Sequence, residues 1–360
     1  RFVAMSLKLA TTNAVEEVPL QFELFETHSR ALSQTVALWD VAPRGVYSDK
    51  AEDDSRILER AFEYGGQPFQ LALSPAILKK DGVQVSRYPG DREQLVEEVI
   101  RYLAARRNRL KEGDNGDLGI SFSLYEVYKE LERTGHQLKY GEIREALTVL
   151  HKAHIEIVKV DGEGPRAKER VVSGSTFPML VLGDRNSDVS ECRVSFNWLV
   201  SQAVRNLDFR QIDYEMLMKM PGPIARWLYR HFVHESLFFG RSPVRRVIRA
   251  SEIVEGCGMT VRSRPRDTFR RIAAALAPLS ETGLIESMEA EDVIQGKSRV
   301  DVEYTIVLTE DFAKSLERSR QVANQSREDF RVISGGEPTD LVRPRAEDKK
   351  KLRALRSERP

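Results

Sequence analysis

The chain has 360 residues, of which 41% are hydrophobic and 31% are charged, and its formal net charge is +1. This composition is typical of a soluble protein with two or three domains, and no run of about 18–20 apolar residues predicts a membrane span. The first residues lack the layout of a signal peptide, and Arg1 suggests a trimmed end with Met5 as a candidate natural start. Cys192 and Cys257 lack a CxxC spacing, so free thiols in a reducing cytoplasm are expected.

The charge is distributed unevenly along the chain. Residues 11–64 contain eleven acids against five bases, whereas residues 241–271 contain nine arginines against three acids. Residues 343–360 contain eight bases against three acids. Local basic segments in a nearly neutral chain are expected in a protein that contacts nucleic acid through particular faces. The alternative is that these segments form a basic surface exposed only to solvent.

The first half of the chain predicts an N-terminal extension followed by one domain. Residues 1–67 form the acidic extension, and strands are predicted within 70–75 and 81–90. Three helices follow. The first has Leu95, Val99 and Tyr102 on one face, the second begins with a Ser123–Glu126 capping box, and the third spans about 139–153. Strands around a Gly-, Pro- and Lys/Arg-rich hairpin tip complete the order of a winged helix over residues 68–190.

The same order of elements returns over residues 191–316. Helices are predicted at 221–238, 250–258 and 264–283, with Pro265 in the first turn of the last one, and two strands follow. From residue 317 the chain becomes polar and then basic, which predicts a disordered tail to residue 360. The predicted fold is therefore α+β, with two tandem winged-helix domains between N- and C-terminal extensions.

The second predicted unit carries the densest basic residues. A helical wheel places Arg270, Arg271 and Ala274 on the outward face of its last helix, with Arg266 on the flank. Arginine reaches guanine acceptors in the major groove and pairs with phosphate, so these residues predict DNA contact. The predicted contacts of this unit are Arg245, Arg246, Arg249, Arg262, Arg264, Arg266, Arg270, Arg271, Lys297 and Arg299.

The first predicted unit is less basic. Its predicted contacts are Lys139, Tyr140, Arg144, Thr148 and Lys152 on the third helix, and Arg166, Lys168 and Arg170 on the hairpin. A winged helix that binds protein instead of DNA is the alternative for this unit.

No catalytic, metal-binding or cofactor-binding residue is predicted. The pairs His151/His154 and His231/His234 have no Glu or Cys at ligand spacing, which favours packing roles. The Gly296–Ser298 segment has Glu291 where a phosphate loop requires glycine. The chain is expected to be a non-enzymatic binding protein.

The segments FSLYEVYKEL, REALTVLHKAHIEI, RVSFNWLVSQAV, IARWLYRHF and RRIAAALAPLSETGLI resemble RepA-like plasmid replication initiators of bacteria. The resemblance covers roughly residues 68–312. It implies a protein that binds repeated sequences (iterons) in double-stranded DNA at a plasmid origin, helps to melt an AT-rich segment, and recruits the host initiator and the replicative helicase. Self-repression of the gene and a homodimer are also implied.

Three other functions stay open from the sequence. The first is a plasmid or phage transcriptional repressor without initiator activity, and the second is an adaptor that uses winged helices for protein contacts. The third is a nicking rolling-circle initiator, against which the missing HxH pair argues.

Overall fold

The computed structural model describes residues 18–27, 29–47, 56–113, 116–161, 168–183, 191–235, 245–259, 264–338, 341–343 and 346–357. Within these ranges the chain is a mixture of helices and antiparallel sheets. The helices are α1 Leu20–Phe25, α2 Ala37–Val41, α3 Asp91–Ala104, α4 Leu124–Arg133, α5 Tyr140–Lys152, α6 Trp198–Arg205, α7 Tyr214–Lys219, α8 Pro223–Glu235, α9 Ala250–Cys257, α10 Pro265–Leu276, α11 Glu310–Ser334 and α12 Ala346–Ser357.

The strands form five sheets in the described residues. They are β1 Leu32–Thr35, β2 Leu58–Tyr64, β3 Gln67–Ser74, β4 Ala76–Lys80, β5 Val83–Arg87, β6 Lys111–Glu112, β7 Leu118–Ser123, β8 His154–Asp161, β9 Lys168–Gly174, β10 Leu180–Val181, β11 Glu191–Ser195, β12 Arg210–Asp213, β13 Arg245–Arg249, β14 Ile285–Gln295 and β15 Ser298–Leu308.

The six helices predicted for the two repeated units are confirmed as α3, α4, α5, α8, α9 and α10. The capping box of α4 is also confirmed, because Ser123 Oγ accepts a hydrogen bond from the Glu126 amide at 3.1 Å and Glu126 accepts one from the Ser123 amide at 2.8 Å. Pro265 occupies the first turn of α10, where no intrahelical amide bond is lost.

The described residues of the predicted extension, 18–27, 29–47 and 56–67, are part of the folded body, and this corrects the predicted boundary after residue 67. That boundary cuts the β2–β3 hairpin, in which Leu58 pairs with Leu73 and Tyr64 with Gln67. Gly65 and Gly66 both have left-handed φ angles, 62° and 69°, which a two-residue hairpin turn requires. The sheet order is β2-β3-β8-β9, so β2 is an edge strand of the sheet that contains the first unit's hairpin.

The second unit has an additional strand. β13 lies between α8 and α9 and pairs with β15, which gives the sheet order β13-β15-β14. Sequence reasoning assigned no strand to residues 245–249. In the first unit the corresponding strand, β7, pairs with β6 and β11 instead of with β8 or β9.

The C-terminal residues contain helices, so the prediction of a disordered tail from residue 317 is wrong. Helix α11 begins at a Thr309 cap and ends at Gly335, which has a left-handed φ of 75°. Its apolar residues are sparse, but Phe312 and Leu316 pack in the core around α10, and Phe330 packs in the core around α3. One face of a polar helix therefore joins both cores, and the polar composition conceals this.

A buried polar network lies between α3, α8 and α2. Arg226 of α8 donates a hydrogen bond to Gln94 of α3 at 3.1 Å and also pairs with Asp91. Four residues further along each helix, Arg230 pairs with Glu98. The two helices thus meet through aligned charged side chains, and each of them is the first helix of one unit.

Asp40 on α2 completes this network. Its carboxylate pairs with Arg101 and accepts hydrogen bonds from the Val36 amide at 2.7 Å and the Thr35 hydroxyl at 2.5 Å. Burial alone raises the pKa of Asp40, but the guanidinium groups of Arg101 and Arg230 outweigh burial and hold that pKa well below its usual range.

No helix in the described ranges is both long and apolar enough to cross a bilayer.

Candidate nucleic-acid interface

Helix α10 has one buried face and one face that is exposed and basic. Phe269, Ile272 and Leu276 are buried in the core of the second unit. Arg264 is the residue before the helix, and Arg266 follows its first proline; both are exposed. The side chain of Arg270 is 77% exposed, and its guanidinium lies 2.9 Å from the Asp267 carboxylate.

The same outward face carries small residues. Ala273 and Ala274 are exposed one turn after Arg270. A helix with long basic side chains beside alanines can approach a nucleic-acid groove closely, because the short alanine side chains let the helix backbone come near the groove. The arrangement therefore provides guanidinium donors at the start of the helix and free access along it.

Arg271 does not belong to this face. It is half-buried, and its guanidinium donates a hydrogen bond to the Tyr47 carbonyl at 2.7 Å. Tyr47 forms a bridge with Met259, and Arg60 binds the carbonyl groups of Pro43 and Gly45 at 2.5 and 2.6 Å. Tyr47 thus lies against this side of α10 and gives Arg271 a structural contact, while the DNA contact of Arg271 stays a prediction.

Strand β13 separates its three predicted contacts onto two faces. Arg245 and Arg249 are exposed, whereas Arg246 is 4% exposed and its guanidinium lies 3.6 Å from Glu235. Arg249 lies 3.3 Å from Glu303 of β15. Side chains alternate between the faces of a strand, so Arg246 points into the protein. Its predicted phosphate contact is therefore wrong.

The β14–β15 hairpin brings two predicted residues next to α10. Lys297 is exposed in the two-residue turn between the strands. The guanidinium of Arg299 lies 5.0 Å from the ring centre of Phe269 and 3.0 Å from Asp292. Stacking on Phe269 holds the Arg299 side chain against α10. Lys297 at the tip of the hairpin is therefore the more accessible basic residue.

The outer strand of this hairpin is acidic. Four carboxylates on β14 are exposed, at Glu286, Glu289, Glu291 and Asp292. No group of three His, Cys, Asp or Glu side chains in the described ranges is placed to hold a metal ion. An anionic polymer can approach α10 and the tip, whereas the face of β14 repels it.

Helix α5 of the first unit presents fewer free basic groups. Lys139, Tyr140 and Lys152 are exposed, and the Tyr140 ring stacks on Tyr128 with ring centres 5.1 Å apart. Arg144 is half-buried and donates to the Gly183 carbonyl at 3.0 Å. The Thr148 hydroxyl donates to the Arg144 carbonyl at 2.8 Å. The side chains at the two ends of α5 are therefore more accessible to a binding partner than those in its middle.

The hairpin contacts predicted for the first unit are described only in part. Arg170 is exposed on β9. Lys168 begins β9, but its side chain lies outside the described residues, as do Arg166 of this unit and Arg262 of the second.

Sequence reasoning missed a basic element beside α5. The β4–β5 hairpin packs on this helix, and the Lys152 ammonium lies 3.5 Å from the Ile77 carbonyl. Lys79 and Lys80 are exposed near the hairpin turn. The pair of adjacent lysines before an Asp-Gly turn was the available signal.

The histidines have packing roles. His151 bonds to the Phe177 carbonyl at 2.8 Å, and His154 to Ser173 at 2.8 Å. His231 stacks on Trp227 at 4.9 Å, and burial lowers its pKa to about 4, with Arg246 adding to the shift. His154 begins β8, and its side chain is nearly half exposed.

The chain was compared with known proteins. No protein-family model matches it, and neither does any curated protein sequence. Among solved structures, it is similar to domains 2 and 3 of RctB, at 9% identity and a TM-score of 0.47 over 76% of this chain and 96% of that one. A second structure of these RctB domains is similar at 8% identity and a TM-score of 0.44, over 78% of this chain and 99% of that one.

A further similar structure is that of the Pi initiator protein in complex with iteron DNA. The identity is 10% and the TM-score 0.35, over 61% of this chain and 94% of that one. An initiator protein solved with iteron DNA is thus among the structural neighbours of this chain.

Proposed function

We propose that this protein is a non-enzymatic replication initiator that binds repeated sites in double-stranded origin DNA through two tandem winged helices. The observation that carries the proposal is the outward face of α10, where Arg264, Arg266 and Arg270 are exposed beside Ala273 and Ala274.

The second unit supports the winged-helix assignment through its order of elements. It runs α8, β13, α9, α10, β14, β15, with the three strands in one antiparallel sheet. In this arrangement α10 is the recognition helix and the β14–β15 hairpin is the wing. A recognition helix enters the major groove with its N-terminal residues, which here are the exposed arginines.

The first unit repeats this order as α3, β7, α4, α5, β8, β9, with the two-residue strand β6 inserted before β7 and with α5 as the recognition helix. Its wing is joined to β3 instead of β7, so it is a variant of the second unit. Because α5 exposes Lys139 and Lys152 but holds Arg144 against Gly183, this unit contributes backbone contact more than base contact.

The two units have a fixed relationship. Arg226 and Arg230 of α8 are each about 1% exposed and bind Gln94 and Glu98 of α3. Buried, paired charges hold a specific geometry, since separating them leaves unpaired charge in the protein interior. Two unlike recognition helices at a fixed spacing fit one asymmetric site that spans successive grooves.

This asymmetry favours an initiator over a repressor. A dimeric repressor with one recognition helix per subunit binds a palindrome, because its operator mirrors the two-fold axis. A single chain with two unlike units binds an asymmetric DNA sequence of about two helical turns. Such sequences can occur as direct repeats. We include self-repression, dimer formation and recruitment of the host initiator and replicative helicase in the proposal, on the resemblance described above.

Selection of bound duplexes from a random pool, followed by footprinting, tests the binding mode. We expect one asymmetric site of roughly 20 base pairs, protected on one side of the duplex. Recovery of a palindrome would instead support the repressor. Weak binding that salt does not change would support a protein adaptor, since each neutralised phosphate adds about −0.9 to the slope of log affinity against log salt.

Replication itself needs a second assay. The gene and its flanking DNA are placed on a plasmid without another origin, and transformants are counted. We expect replication that depends on the protein and on copies of the selected site next to an AT-rich segment. Site binding without replication would leave a repressor as the function.

A further inference from the structure

We propose that the β4–β5 hairpin is a third DNA-binding element, which contacts the phosphate backbone beside α5. This inference rests on the proposed function and adds to it a contact surface that lies outside both winged helices.

The hairpin is a separate two-stranded ribbon. Among the described strands, β4 and β5 pair only with each other, from Ala76 opposite Arg87 to Lys80 opposite Val83. The turn is Asp81-Gly82, with left-handed φ angles of 52° and 82°. An isolated two-stranded hairpin is marginally stable in water, so its order must come from what it packs against.

Helix α5 provides that support. Ala76 of β4 is buried together with Val149 of α5 and with Ala153, the residue after this helix, and Leu78 packs against them. The Lys152 ammonium lies 3.5 Å from the Ile77 carbonyl. The base of the hairpin is therefore fixed to the last turns of the recognition helix of the first unit.

The free end of the hairpin is positive. Lys79 and Lys80 are exposed beside the turn, where Asp81 is the one acid of the hairpin. At the base, Arg87 and Arg92 share the carboxylate of Glu145, at 3.9 and 3.0 Å. This carboxylate is shared between two arginines and also attracts Lys80, so Lys79 is the lysine of the tip that lies outside this cluster.

The chemistry of this surface fits phosphate better than bases. Lysine is a strongly hydrated point charge that binds phosphate oxygens without geometric selection. A two-stranded ribbon is also narrow enough to lie along a groove. Since the ribbon is fixed to α5, a duplex that contacts Lys152 passes the hairpin as well. Lys79 and Lys80 should then add affinity and salt dependence without changing the preferred sequence.

The test uses the full-length protein and the duplex selected above. Lys79→Gln/Lys80→Gln is compared with wild type by fluorescence anisotropy between 50 and 200 mM salt. We expect the affinity to fall about tenfold or more at 0.1 M salt, and the log–log slope to become shallower by about 2, with the same preferred sequence. The matched control is Lys350→Gln/Lys351→Gln on α12, which removes the same charge and should bind as wild type does.

Arg266→Ala/Arg270→Ala separates this inference from the function on which it rests. If the hairpin variant keeps the wild-type affinity and slope while the arginine variant loses binding, the hairpin proposal is overturned and the function stands. If both variants bind as wild type does, the proposed recognition helix is overturned as well. Circular dichroism verifies folding, and Lys79→Gln alone, with about half the slope change, decides the case if the double variant misfolds.

Discussion

Arg230 of α8 and Glu98 of α3 form an ion pair whose side chains are 2% and 5% exposed. Burial alone lowers the pKa of Arg230, but Glu98 and Asp40 outweigh burial and raise it, so the guanidinium stays charged. The pair joins the first helices of the two units across their boundary. It therefore helps to fix the relative positions of α5 and α10, the two proposed recognition helices.

Removal of one partner of this pair should destabilise the protein strongly. In Glu98→Gln the buried guanidinium of Arg230 loses its paired carboxylate and keeps only the weaker attraction of Asp40, and we expect a loss of about 3–5 kcal/mol in the free energy of unfolding. Urea unfolding followed by circular dichroism measures this change. Glu132→Gln is the matched control, since it breaks an exposed pair with Lys129 at 2.7 Å and should leave the transition unchanged.

The double variant Glu98→Leu/Arg230→Met distinguishes the buried charge from general packing. Replacing both charges with apolar groups leaves no unpaired charge, so the double variant should be more stable than Glu98→Gln. A double variant as unstable as the single one would contradict the assignment of the loss to unpaired charge.

The exposed arginines of α10 should carry most of the sequence recognition. Arg266→Ala/Arg270→Ala is expected to lower the binding free energy for the selected site by about 1–3 kcal/mol for each arginine that contacts a base. Anisotropy titration measures the loss. Lys314→Ala/Arg318→Ala on the exposed face of α11 is the control of equal charge. Equal affinities of the two double variants would show that the arginines of α10 do not contact the DNA.

The first unit should contribute less. Arg144 already donates to the Gly183 carbonyl, and Thr148 to the carbonyl of Arg144. Arg144→Ala/Lys152→Ala is therefore expected to reduce affinity less than the α10 variant and to change self-association instead. Anisotropy and sedimentation velocity measure the two effects. A greater affinity loss than that of the α10 variant would reverse the ranking of the units.

The sequence predicted what local chemistry determines. The six repeated helices, the Ser123–Glu126 capping box and Pro265 in the first turn of α10 depend on neighbours within a few residues, and each is confirmed. The exposure of Arg266 and Arg270 follows from the helical period, because Phe269 and Ile272 fix the buried face.

Contacts between distant segments were beyond local patterns. Arg271 lies on the outward side of a wheel, yet Tyr47, more than two hundred residues earlier, covers it. Arg246 is buried because β13 pairs with β15. Strand β1 pairs with β12, and β2 with β3, and Leu20, Phe22 and Trp39 pack in the core around α3, so the described part of the acidic extension belongs to the folded body. Charge counts describe composition and cannot indicate which segment covers which.

A pH dependence of stability is expected from His234. Thr35 donates its hydroxyl proton to Asp40, so the His234 Nε2 proton is donated to Thr35 across 3.0 Å. Burial lowers the pKa of His234 to about 3, with Arg210, Arg230 and Arg101 lowering it further and Asp40 opposing them. The unfolded chain takes up a proton near pH 6.5, whereas the folded one does so only near pH 3.

Stability should therefore fall as the pH drops below about 6.5, with His234 contributing up to about 1.4 kcal/mol per pH unit. Urea unfolding between pH 8 and pH 4 measures the slope, which should be shallower in His234→Gln. At pH 8 the histidine is neutral in both the folded and the unfolded state. The difference in the free energy of unfolding between wild type and variant at that pH therefore measures the effect of the substitution apart from protonation. Parallel stability curves for the two proteins would show that His234 does not cause the decline.

The last prediction concerns DNA cleavage. A nicking initiator needs a tyrosine nucleophile beside a metal held by histidines. Of the histidines that the structure describes, His136, His151, His154 and His234 instead bond to Met218, Phe177, Ser173 and Thr35, and His231 stacks on Trp227. We expect the protein to bind supercoiled plasmid carrying the selected site without cutting it, with or without magnesium or ATP. Incubation followed by gel electrophoresis and protease digestion detects nicked circles and covalent adducts. A covalent adduct mapped to one tyrosine would replace the binding-only initiator with an enzyme.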